Sequence, residues 1–100
     1  MVDVEKISGI GEFERAGWGG RELYSVPGGK AFLVLSGRTM EVRTDPALGE
    51  KLQEKYESVM QSRYFGRGGI EVVLSGQLSE EEMEDLVRLS YNMTRDGDFI

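Results

Sequence analysis

The chain has 100 residues, 12 of them Lys or Arg and 18 Asp or Glu, for a formal charge of −6, and it contains neither Cys nor His. The missing residue types exclude disulfides, Cys- or His-ligated metals and His-based acid–base catalysis. The length fits a single domain spanning 1–100, and a hydrophobic fraction of 39% is too high for a disordered chain.

Residues 1–19 carry Gly9 and Gly11 and show no sustained period, so helix, strand and loop all stay open there. The opening residues lack the apolar core of a secretion signal, and no apolar run approaches the ~20 residues that span a bilayer. A cytoplasmic protein with no membrane contact is the expectation. Three strand-like runs follow. Arg21 to Val26 ends at the turn sequence Pro27-Gly28-Gly29. Lys30 to Leu35 is nearly all apolar, as a central strand should be, and Ser36-Gly37 turns the chain. Arg38 to Thr44 alternates Met40 and Val42 inward with Glu41 and Arg43 outward. Together they predict a three-stranded antiparallel meander.

Asp45-Pro46 opens a helix, with Asp45 as cap and Pro46 at the first position, where no hydrogen bond is lost. Leu48, Leu52, Tyr56 and Val59 then share one face, predicted to be buried. Gly49 weakens this helix by about 1 kcal/mol relative to Ala. Ile70 to Leu74 is a β-branched strand. Ser79 with Glu82 forms a capping box, and Met83, Leu86, Val87, Ser90 and Tyr91 fall on one helical face. Carboxylates crowd the first turns of that helix, where its dipole favours them. A frayed tail is expected beyond Thr94, over 95–100. The predicted fold is α+β in two layers: an antiparallel sheet in the order β-β-β-α-β-α, with both helices packed on one face.

Four segments in this order resemble the MmcQ/YjbR-like family, over roughly Tyr24 to Thr94. They are Gly28-Gly29-Lys30-Ala31-Phe32, Val42-Arg43-Thr44-Asp45-Pro46, Leu74-Ser75-Gly76-Gln77-Leu78 and Leu89-Ser90-Tyr91-Asn92-Met93. The resemblance implies an antiparallel sheet covered on one side by helices, similar to the frataxin and secretion-chaperone folds. It also implies the family's double-wing DNA-binding label. Two departures stand out. Members commonly begin with a full helix, which Gly9 and Gly11 must shorten or break. Members often carry His and Trp before the fourth strand, where this chain has Arg63 to Gly69, with Gly69 at the Trp position.

Charge is unevenly distributed. Residues 20–75 hold eight basic and seven acidic residues, whereas 76–100 hold two and seven. Lys30, Arg38 and Arg43 on the sheet, with Arg63, Tyr64 and Arg67 in the glycine-rich loop, are therefore the candidate nucleic-acid contacts: cations for phosphates, and Tyr64 or Phe65 for base stacking. Binding would be weak and salt-sensitive. The alternative is a protein-interaction module, with Trp18 as an anchor and Tyr24, Phe32 or Met40 outward on an exposed sheet face. Glu80, Glu81, Glu84 and Asp85 match dipole complementation better than a metal site. Gly66-Arg67-Gly68-Gly69 lacks the Lys-Ser/Thr of a phosphate loop and precedes a strand. No nucleophile motif occurs, so neither catalysis nor a cofactor is expected.

Overall fold

The computed structural model describes residues 2–97, apart from the side chain of Trp18. A 3₁₀ turn, Val4–Lys6, leads into β1 (Glu14–Trp18), β2 (Arg21–Ser25), β3 (Ala31–Leu35) and β4 (Thr39–Arg43). Helix α1 (Pro46–Lys55), the hairpin β5 (Val59–Ser62) and β6 (Gly66–Val73), and helix α2 (Glu80–Asp96) complete the chain. The six strands form one antiparallel sheet in the order β1-β2-β3-β4-β6-β5. Helix α1 lies over β5 and β6 and α2 over β3 and β4, so the expected two-layer α+β arrangement holds. No helix among the described residues is long and apolar enough to cross a membrane.

The core lies between sheet and helices. Leu33, Met40, Val42, Ile70 and Val72 from the sheet meet Met83, Leu86, Val87 and Tyr91 of α2. The β2–β3 register slips between Tyr24 and Ser25, leaving Phe32 as an extra residue on β3. Such a bulge breaks the inside–outside alternation. Phe32 and Leu33 are accordingly both buried in this core, and Phe32 meets Tyr91 edge-on at 5.0 Å between centroids.

The strand count differs from the expected order in two places. The N-terminal segment is neither a full helix nor a loop: Val2, Val4 and Ile7 plug the core, and the chain then runs into edge strand β1. Two α2 side chains fix this segment, as Tyr91 Oη donates to Glu12 O (2.9 Å) and Arg88 Nε to Ser8 O (2.6 Å). The second addition is β5. Helix α1 stops at Lys55, because Tyr56 takes an extended conformation, and Val59 pairs with Val72 in the sheet instead of extending the helical stripe. Leu48, Leu52 and Tyr56 are only half-buried, and the residue α1 buries is Gly49. A Cβ there would lie 2.9 Å from Thr44 Oγ1 and 3.4 Å from Ile70 Cγ2, so the glycine that weakens the helix lets it sit close to the sheet.

Helix α2 follows the expected pattern at its start. Ser79 Oγ accepts from Glu82 N (3.0 Å), and Glu82 Oε1 accepts from Ser79 N (2.9 Å). It continues through Arg95 and Asp96, where a frayed tail is expected: Thr94 is buried and donates to Ser90 O (2.8 Å), and Gly97 closes the helix with φ +69°. Residues 98–100 of the expected tail lie outside the described residues.

Candidate nucleic-acid interface

The sheet face away from the helices is partly covered by the turn between β5 and β6. Glu41 and Glu71 stand directly opposite each other in the β4–β6 register, both 2% exposed. Two carboxylates side by side away from water need donors, and the turn supplies them. Ser62 Oγ donates to Glu41 Oε1 (2.7 Å) and Tyr64 N donates to the same oxygen (2.8 Å). Phe65 N donates to Ser62 Oγ (2.8 Å), which tightens the turn further. Arg63 forks onto Glu71, with Nε–Oε1 3.0 Å and NH2–Oε2 2.8 Å. Gly66, at φ +63°, returns the chain to β6.

These hydrogen bonds from Arg63 hold the Glu71 carboxyl below the ordinary carboxylate range, against the upward push of burial; Thr39 adds to the downward shift. A lowered folded-state pKa stabilises the protein above the unfolded carboxylate pKa, and this contribution is lost as pH falls through the folded value. Arg63→Ala should therefore lower the urea midpoint at pH 7. Its penalty should shrink as pH falls through the folded-state value of the Glu71 carboxyl, because protonated Glu71 no longer needs the guanidinium. Urea melts of both proteins at pH 7 and across the acid range test this, and an undiminished penalty in acid would contradict the assignment.

Arg43 Nε donates to Ala31 O (2.8 Å), and its guanidinium sits 4.7 Å over the Phe65 ring. Burial lowers the Arg43 pKa from its ordinary value, with Tyr64 opposing; guanidinium still keeps its charge. Tyr64 meets Phe65 edge-on at 4.9 Å and is 40% exposed. Lys30 is exposed just before Ala31, after two glycines at φ +104° and +106°. Arg67 is exposed at the start of β6, and its guanidinium meets no carboxylate among the described residues. Lys30, Arg43, Tyr64 and Arg67 thus share one end of the sheet.

Arg38 does not join them. It sits in the β3–β4 turn at the other end of β4, five residues from Arg43, or roughly 16 Å at the usual strand rise. Arg63 shares the correct end but is committed to Glu71. The expected outward face of Tyr24, Phe32 and Met40 is also corrected: their exposures are 5%, 0% and 0%, and all three belong to the core. Met40 follows the inward alternation of β4, the bulge turns Phe32 in, and Tyr24 packs beside Phe32 with its hydroxyl on Glu22 (3.1 Å). Trp18 lies on edge strand β1 with its backbone paired to Arg21, and its side chain lies outside the described residues. Phe65 is the alternative stacking ring that the sequence offers beside Tyr64, whereas Glu41, Glu71 and Ser62, which anchor the turn, are not among the sequence-derived site residues. The available signal was a carboxylate flanked by apolar residues in each of two strands.

No protein-family model matches the sequence, and no curated protein is significantly similar to it. A crystal structure of a protein from Pseudomonas syringae, determined as a structural-genomics target, has a similar fold. The similarity has a TM-score of 0.71 at 16% identity and covers 83% of this chain and 87% of the other.

Proposed function

We propose that this chain is a non-enzymatic, cytoplasmic binding domain of the MmcQ/YjbR type, which takes nucleic acid at the loop end of its sheet. The observation that carries this reading is the Arg43–Phe65–Tyr64 cluster, with Tyr64 exposed at the same end of the sheet as Lys30 and Arg67. An exposed ring on a fixed turn suits an unpaired base, and flanking cations suit the adjoining phosphates. A single strand is favoured over a duplex because stacking needs an accessible base face.

Labelled oligothymidylate should bind, with log K falling against log salt at a slope of about −2 for three phosphate contacts. The double variant Lys30→Ala/Arg67→Ala should weaken binding about tenfold or more and flatten the slope. Tyr64→Ala should cost about 1–3 kcal/mol of binding through lost stacking. Lys30 and Arg67 are preferred to Arg63 as probes, because Arg63 also holds Glu71. Anisotropy titrations at low and moderate salt measure all three, and no binding at low salt would refute the proposal.

One observation favours a second reading, a protein partner. Met60 and Tyr64, 43% and 40% exposed, are large apolar side chains on edge strand β5 and its turn. An edge strand flanked by apolar side chains suits strand addition by an extended peptide.

A further inference from the structure

The other end of the molecule holds a cleft of about 690 Å³ on the helix side of the sheet, within the size range of small-molecule sites. Its apolar wall is Val2, Val4, Tyr24, Leu35 and Leu74, drawn from the N-terminal segment, β2, β3 and the residue that follows β6. Its charged lining is four carboxylates, Asp3, Glu22, Glu80 and Glu84, against two cations, Lys6 and Arg15.

Several of these groups are already engaged. Asp3 caps the 3₁₀ turn by accepting from Glu5 N (3.2 Å). Glu22 accepts from the Tyr24 hydroxyl and lies 3.9 Å from Arg15 Nε. Glu80 also has an interaction partner. Lys6 is exposed to water at the rim. Glu84 differs: it is half-buried on the cleft wall, and its carboxylate makes no hydrogen bond or ion pair among the described residues. It also stands one helical turn after Glu80 on the same side of α2, a like-charge spacing that disfavours the helix. A half-buried carboxylate in that position gains most from an incoming cation.

We propose that this cleft binds a small amphipathic organic cation, an amine with an apolar arm, its ammonium at Glu84 and its arm against Val4, Leu35 and Leu74. An anion of the same shape would face the net negative lining and is excluded. Ammonium pairing and apolar burial together account for both walls.

Phenethylamine and its anionic counterpart 3-phenylpropanoate provide the test, titrated into the full chain and followed by amide chemical shifts. Phenethylamine should bind at least about tenfold more tightly than phenylpropanoate, with the largest shifts at Val4, Leu35, Leu74 and Glu84. Glu84→Gln should weaken the amine about fivefold or more and leave the fold intact, since it also relieves the repulsion with Glu80. Equal binding of the two probes, an unchanged affinity in Glu84→Gln, or shifts spread away from the cleft would each overturn the proposal. A failure here leaves the nucleic-acid reading untouched, because that surface lies at the opposite end of the sheet.

Discussion

Ser90→Ala is expected to lower stability by about 3 kcal/mol, a large effect for the loss of one oxygen atom. The Ser90 hydroxyl is fully buried; it accepts from Arg43 N (2.8 Å) and donates to Phe32 O (2.6 Å). Phe32 and Arg43 stand where the β3–β4 ladder would place its next pair after Leu33 and Val42. A hydroxyl from the helix therefore completes a rung of the sheet. Without it, a backbone donor and a backbone acceptor lose their partners together, each at about 1–3 kcal/mol. Direct closure of the strands is opposed by the Phe32 bulge and by Arg43 Nε bonding to Ala31 O. Urea unfolding measures the loss; a value below about 1 kcal/mol would mean that the strands close the rung themselves.

Gly69→Ala should cost about 3 kcal/mol, at the upper end of forced overpacking. The reason is space, since a Cβ at this position would run into the Val42 carbonyl oxygen and come within 2.7 Å of Phe65 Cβ. The Phe65 ring occupies the volume that a side chain at 69 would need, so glycine at 69 and phenylalanine at 65 form one packing solution. Displacing Phe65 should also free the turn, so hydrogen exchange at the Tyr64 and Phe65 amides should accelerate beyond the global change. Uniform acceleration would show that the ring does not fix the turn.

Local chemistry made much of the fold legible. The Asp45-Pro46 start, the Ser79–Glu82 box and the shared core face of Met40 and Val42 each act over a few residues, and each appears in the structure. Where the reading failed, a distant contact had decided the outcome. Val59 continues a helical spacing, yet pairing with Val72 removes it from α1. Phe32 sits within an apolar run that hides its bulge, and only the register with β2 shows which way it faces. The candidate site was half legible for the same reason. Lys30 and Arg67 beside glycines could be placed at turns, but local sequence does not show that Arg63 bonds a buried carboxylate eight residues on. Nor does it show that Arg38 emerges at the far end of β4.

Hairpin loops ordinarily accept extra residues, because lengthening a solvent-facing connection adds little closure entropy. The β5–β6 hairpin is different: its Ser62 hydroxyl, its Tyr64 amide and its arginine satisfy two carboxylates in the sheet, so its length is set from beneath. An inserted residue there would strand Glu41 or Glu71, whereas the exposed glycines before Lys30 are under no such constraint. Related sequences should therefore vary in length at the second turn of the sheet and keep a fixed count between β5 and β6.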